Sequence, residues 1–392
     1  MEEDRIWNRN FVCITIAYIL LALGFYMLTP SIPLLLVDLG ATVSQVGMVV
    51  TAYYVASITT RLLINLVILR IGKKRALFTG LFLSAIFMAS YGLVESVGAV
   101  ASLRVIQGMG FGTATTVITT MAVDFLPDSR RGQGLGYFSM GMVLAMAIAP
   151  AIAIFIMDNF GFIPSFLVAA CTNLTAAVIV LFVDEPDIAE SELQKNAEGK
   201  KKAIEWRNLY DKRLIVSSFI VLLFGIGRSL DLNYIALFAV ERNLDHLSWY
   251  FVIQTATMFL IRSVMGRFAD RKGRNWVIIP GGFAMLTFPI ILSFANSSAV
   301  MLMGALFSGL GVGILAPNQQ LWMLGSVEPE KRIVASSSYF NFVDIGSALG
   351  APLMGLAAEN FGYDVMFRAG SCAALLYLAL YVAIGREKRV ES

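Results

Sequence analysis

Apolar residues run along this chain in long unbroken blocks rather than in the narrow 3.6-residue stripe of a helix on a soluble surface. Crossing the hydrocarbon of a bilayer takes roughly 20 apolar residues in a helix. Twelve blocks of that kind stand between short charged or Gly/Pro-rich breaks. Spans 1 to 6 are read at 10–36, 44–69, 76–95, 98–123, 134–157 and 163–183, and spans 7 to 12 at 213–240, 248–268, 276–296, 299–324, 335–357 and 366–385. The one long polar stretch, 184–212, contains Lys200, Lys201 and Lys202 and divides the spans into two sets of six. The pattern therefore predicts an all-α membrane protein of twelve transmembrane helices in two bundles, 1–183 and 213–392, joined by a linker at 184–212.

Composition narrows the class. The 392 residues are 57% apolar and 15% charged, whereas a soluble domain carries about a quarter charged residues. Cys13, Cys171 and Cys372 lie far apart inside apolar stretches, which indicates neither a disulfide framework nor a metal cluster. Of the 30 Lys and Arg, 24 fall at the termini and in the even-numbered loops, and only Arg242 and Arg368 on the other side. Because basic residues accumulate on the cytoplasmic side, both termini are expected there, in a cell (plasma or inner) membrane. The basic clusters are then topology signals, and nucleic acid is not an expected partner. The other four, Arg61, Arg104, Arg228 and Arg262, lie within spans.

The two halves repeat at an offset of 201: Arg61 falls on Arg262, Gly72 on Gly273, Gly108 on Gly309, Gly110 on Gly311, Gly112 on Gly313 and Arg131 on Arg332. Parallel halves of this kind place a substrate site between them near the midplane and work by rocking one half against the other.

After span 8 comes Gly-Arg-Phe-Ala-Asp-Arg-Lys-Gly-Arg, Gly266 to Arg274. Gly266 lets helices approach, Asp270 suits a helix N-terminus, and Arg271 and Arg274 can pair with acids at neighbouring helix ends, with Gly273 between them. In span 4, Arg104 to Gly112 reads Arg-Val-Ile-Gln-Gly-Met-Gly-Phe-Gly and includes Gln107. On these residues the chain resembles the major facilitator superfamily over essentially its whole length, and span 4 resembles the Arg-x-x-Gln-Gly motif of its drug and proton antiporters. The resemblance implies the two-bundle major facilitator fold and a part for Arg104 in proton transfer; a structural Arg bonded to backbone carbonyls is the alternative. The first-half loop departs from the family pattern, with Asn65 in place of Gly and Leu69 in place of Asp, although Arg70, Gly72, Lys73, Lys74 and Arg75 are kept. The carboxylate that would tie span 2 to span 11 is missing; Asp124 is a candidate partner for Arg70. Span 5 has Pro150 among alanines without the family's glycines, which weakens the vote for export.

A proton-coupled carrier needs a carboxyl that is neutral in one state and paired in another. Span 1 offers none between Phe11 and Val37, leaving Asp231 and Asp344. Asp344 lies about 13 Å, and Arg61 about 12 Å, from the cytoplasmic ends of their spans. In the fold that the resemblance implies, spans 2 and 11 are neighbours across the interface, so Arg61 and Asp344 are expected to form an ion pair between the halves. Held ionised, it would shut the cytoplasmic side until protonation released it. Asp344 as a binder of cationic substrate and a static salt bridge remain the alternatives. Arg228 and Asp231, at i and i+3 toward the outer end of span 7, are expected to neutralise each other, or to close an outer gate against span 1 or meet a zwitterionic substrate. Tyr26, Tyr53, Tyr54, Gln107, Asn233, Gln254, Asn318, Gln319 and Asn341 are candidate substrate contacts, with cross-helix bonding the alternative for the polar ones.

No phosphate-cradling Gly-rich loop and no catalytic constellation occurs, which disfavours an ATP-driven pump or an enzyme. The expected function is proton-coupled efflux, by alternating access, of a small amphipathic organic molecule or drug-like metabolite. Export of a zwitterionic or metal-chelating metabolite and proton-coupled uptake are the runners-up; a lipid flippase or a receptor is a further class. The expected partners are substrate, protons and bilayer, with no cofactor or metal, and the expected state is a monomer.

Overall fold

The computed structural model describes residues 6–127, 130–185, 212–328 and 332–385. Most of the 184–212 linker lies outside the described residues, as do the side chains of Asn65, Leu69, Gly266, Asp270 and Arg271 within their helices. The helices are α1 Arg9–Asp38, α2 Val43–Ile71, α3 Lys73–Ser90, α4 Val97–Asp124, α5 Arg131–Phe160 and α6 Phe162–Leu181, then α7 in two segments, Ile215–Asn233 and Ile235–Glu241. They continue as α8 Leu247–Lys272, α9 Asn275–Ser293, α10 Ser298–Gly325, α11 Arg332–Phe361 and α12 Tyr363–Leu380. Every described element is helical.

Ten of these helices are long and apolar enough to cross a membrane; α4 and α8 are not in that set. Both have the length, but α4 carries Arg104, Gln107 and a run of threonines, and α8 carries Gln254, Arg262 and a basic end. Thr115, Thr116, Thr119 and Thr120 donate their hydroxyls to carbonyls one turn back, so these polar groups need no water. Large apolar side chains lie exposed along other helices, among them Leu63, Phe155, Phe219, Leu260 and Leu353, a surface suited to lipid rather than water.

Packing follows the repeat. In the first set, α1 packs on α5 and α6, α4 on α2 and α3, and α3 on α6; in the second, α7 packs on α11, α10 on α8 and α9, and α9 on α12. Between the sets the main contacts are α2 with α11 and α5 with α8. Helix ends are marked locally. Thr42 and Gln45 form a reciprocal capping box at the start of α2, and Gly72 (φ +82°) turns α2 directly into α3. Gly273, 201 residues later, makes the same turn between α8 and α9 (φ +90°). Only glycine adopts this backbone without steric cost.

The offset also holds at closest approach. A Cβ on Gly108 would strike the carbonyl of Tyr53, and one on Gly309 the carbonyl of Gln254, so the same α2/α4 and α8/α10 contacts are made through counterpart residues. Gly108→Ala is therefore expected to lower the unfolding free energy in detergent by about 1–3 kcal/mol. Gly98→Ala, where open space lies beside the glycine, should leave it unchanged. Equal melting temperatures for the two variants would refute this packing.

Candidate functional site

The side chain of Arg61 on α2 donates from Nη1 to Oδ2 of Asp344 on α11 at 2.6 Å. Arg61 sits ten residues before the end of α2 and Asp344 twelve after the start of α11, about 15 and 18 Å into their helices. Sequence position thus brought together two residues 283 apart. Both remain partly exposed.

The contact between α2 and α11 is closest elsewhere. Toward the side where α2 begins, Gly47 lies against the carbonyl of Ala351 and Gly355 against that of Val43. Thr51 donates to the carbonyl of Ala348, and the Ser44 amide donates to Glu359. The α7 break at Tyr234 belongs to this junction, because its hydroxyl donates to the carbonyl of Ala351. The first segment of α7 and its continuation also touch α1. The halves are therefore packed together where α1 ends and α2 starts, and the Arg61–Asp344 bond is made with that side closed.

Asp231 is more deeply placed than its sequence position suggested. It is only 2% exposed. Oδ2 accepts from Arg228 Nη1 at 3.0 Å, from Ser308 Oγ at 3.0 Å and from Gln254 Nε2; Oδ1 accepts from Tyr250 at 2.7 Å. The expected i, i+3 pair is present, but its further partners lie on α8 and α10 of the same half, not on α1. A buried carboxylate with four donors has its hydrogen-bonding capacity well satisfied.

Arg104 is 5% exposed. It donates to Gln107 Oε1 at 3.0 Å, and the same oxygen accepts from Tyr91 at 2.7 Å. The guanidinium stands 5.0 Å from the centre of the Tyr53 ring, a cation-π distance. No carboxylate pairs with it among the described residues, and its Nε has no hydrogen-bond partner. Among the described residues no backbone carbonyl accepts from it.

A cavity between the halves is lined by Phe25, Thr29, Tyr53, Tyr54, Arg104 and Asn233, among others. Tyr26 is buried nearby, edge-on to Phe25. Of the other candidate contacts, Asn233 also bonds back to Ser229, Asn318 bonds to the carbonyl of Ile314, and Gln319 donates to Tyr377. Gln254 is committed to Asp231 and Ser308; Asn341 is half-buried on α11. Gln254 and Gln319 thus bond neighbouring helices and Asn233 and Asn318 bond within their own, while Tyr53 and Tyr54 line the cavity.

At the loop motifs, Asp124 pairs with Lys73 at 2.7 Å rather than with Arg70. Lys73 opens α3 immediately after the Gly72 turn, which carries its amine to the end of α4, while Arg70 stays exposed on the last turn of α2. Gly273 keeps its turn, and Arg274 stands immediately before α9 without a side-chain capping bond to it.

The Major Facilitator Superfamily profile matches residues 14–260 and 235–392. The chain belongs to that family. This major facilitator protein is a multi-pass membrane transporter and not an enzyme. It is 23% identical over 402 residues to the bacillibactin exporter of Bacillus subtilis (strain 168), covering 98% of each chain. It is 24% identical to the multi-drug resistance efflux pump PmrA of Streptococcus pneumoniae serotype 4, covering 94% of each. Among solved structures, a POT family transporter in complex with 5-aminolevulinic acid superposes with a TM-score of 0.78 over 95% of both chains at 14% identity, a likeness of fold.

Tyr250, Ser308 and Tyr91 were not singled out from sequence. The offset reaches one of them: Gln107 falls on Ser308, just as Tyr53 falls on Gln254. Tyr250 and Tyr91 carry no such signal.

Proposed function

We propose that this protein is a proton-coupled exporter that moves a small amphipathic organic molecule by alternating access. Residues 1–183 and 213–392 are its two moving units, and the linker and both termini lie in the cytoplasm of the cell that bears it in its plasma or inner membrane. The observation that carries the reading is the Arg61–Asp344 ion pair, formed between the units with the opposite side packed shut. With the termini cytoplasmic, the packed side is external, and the central cavity belongs to the inward-facing state. Asp344 is then an acid whose proton has left toward the cytoplasm and whose charge is held by Arg61. Protonation after the switch to the outside would free Arg61 and allow return. Asp231, with its four donors, is left as a structural member.

The export direction draws on relatives named as exporter and efflux pump. The transporter acts as a monomer in this scheme, since both units of the site come from one chain.

The test is a proton-release assay. Everted vesicles containing the protein, acidified inside by respiration, receive carboxyfluorescein, ethidium or rhodamine 123 while the internal pH is followed. An antiporter dissipates the gradient as it takes up one of these compounds. Movement in the opposite direction would make it a symporter, and no movement of any of them would count against efflux.

A further inference from the structure

The spans hold four arginines, Arg61, Arg104, Arg228 and Arg262, and two aspartates, Asp231 and Asp344, away from the helix ends. Arg61 and Arg228 are each bonded to one of the aspartates. Arg104 and Arg262 are paired with no acid among the described residues, and in each the Nε is buried without a hydrogen-bond partner. An arginine inside a bilayer costs at least about 2.5 kcal/mol on insertion scales, and a dry, unpaired charge costs more. Arg104 offsets little of that cost by bonding the fold, with one amide oxygen and two ring faces as its contacts.

Arg104 lines the cavity between the halves together with Phe25, Tyr53 and Tyr54. Aromatic rings make the walls: Phe25 stacks on Phe111 at 4.5 Å and on Tyr53 at 5.6 Å, and Tyr53 meets Tyr54 edge to face at 5.5 Å. Rings of this kind accept a flat conjugated body, while a guanidinium with free N–H groups takes a carboxylate or similar oxyanion.

We propose that the molecule bound between the halves is an aromatic organic anion, its negative group held by Arg104 and its body by Phe25, Tyr53 and Tyr54. This deepens the exporter reading by naming the substrate class of the same site. It also gives Arg104 a different task from proton transfer: with no acid beside it to exchange a proton, it serves as an anchor for charge. Arg61, already bonded to Asp344, is spared for coupling.

Equilibrium binding in detergent tests this with two dyes of the same xanthene scaffold and opposite charge, anionic carboxyfluorescein and cationic rhodamine 123, read by fluorescence anisotropy on the unaltered full-length protein. Carboxyfluorescein is expected to bind at least about tenfold more tightly. Arg104→Gln should weaken it by about tenfold, the loss of one charged hydrogen bond, with rhodamine 123 unaffected, and Arg104→Lys should restore much of the affinity. The dye comparison needs no variant, so a misfolded Gln mutant leaves the test intact. Rhodamine 123 binding as tightly as carboxyfluorescein, no carboxyfluorescein binding, or a folded Gln variant that binds it unchanged would each overturn the proposal. Because binding needs no gradient, a protein that binds the anion but moves nothing would sink the transporter mechanism and leave this assignment standing.

Discussion

Replacing Asp344 by Asn should abolish transport driven by a pH gradient, a loss of at least about tenfold, while exchange of substrate down its own gradient continues within about twofold of the unaltered protein. The reason lies in the two kinds of step. Exchange needs only the rocking of loaded units, whereas gradient-driven transport needs a group that binds and releases a proton in the cycle. In the proposed cycle Asp344 is that group, since it has one partner, Arg61, and is partly exposed. Asn keeps the shape and leaves Arg61 half-hydrated rather than stranded, so the fold should survive. Asp344→Glu should retain pH drive. The measurement is uptake of the transported dye into everted vesicles with and without the gradient, set against counterflow. Undiminished gradient-driven transport in Asp344→Asn would remove this residue from coupling.

Asp231→Ala should behave in the opposite way, as a failure of folding rather than of coupling. The substitution leaves Arg228 buried without its acid and strips Tyr250, Gln254 and Ser308 of a common acceptor. Removing one member of a buried ion pair costs roughly 3–5 kcal/mol, a large part of the stability of any domain. Detergent-solubilised Asp231→Ala should accordingly melt well below the unaltered protein. Adding Arg228→Met should recover much of the loss, because the stranded charge is gone and Met fills similar space. If the single variant melts normally but loses response to a pH gradient, then the roles of the two aspartates have to be exchanged.

How far these assignments were legible before any coordinates existed depends on the kind of signal. The helices and the Arg61–Asp344 contact were readable because they rest on long apolar blocks, on helical rise and on an offset of 201 that persists in plain residues. The same offset carries Gln107 onto Ser308, so part of the Asp231 network was available in principle. What was not legible has a common cause, the rotation of each helix about its axis. Long, mostly apolar helices give weak periodicity, so nothing in the sequence says that Tyr250 faces Asp231, or that Tyr91 rather than an acid faces Gln107. The choice of Lys73 over Arg70 as the partner of Asp124 turned on the Gly72 corner, which sets where the next three residues point. The break at Tyr234 left no mark in an apolar run, since no Gly or Pro announces it.

The paired glycine corners have a consequence for experiments on this chain. Gly72 and Gly273 turn successive helices with nearly the same backbone angle, and the close contacts at Gly108 and Gly309 are made by counterpart residues. Each substitution therefore has a twin 201 residues away in nearly the same backbone setting. The twin sits in a half with different chemistry, since Arg104 falls on Ala305 and Asp231 on Pro30. Whatever both members of a twin lose measures the architecture, and whatever only one of them loses measures the work of its own half. The molecule is in this sense its own control.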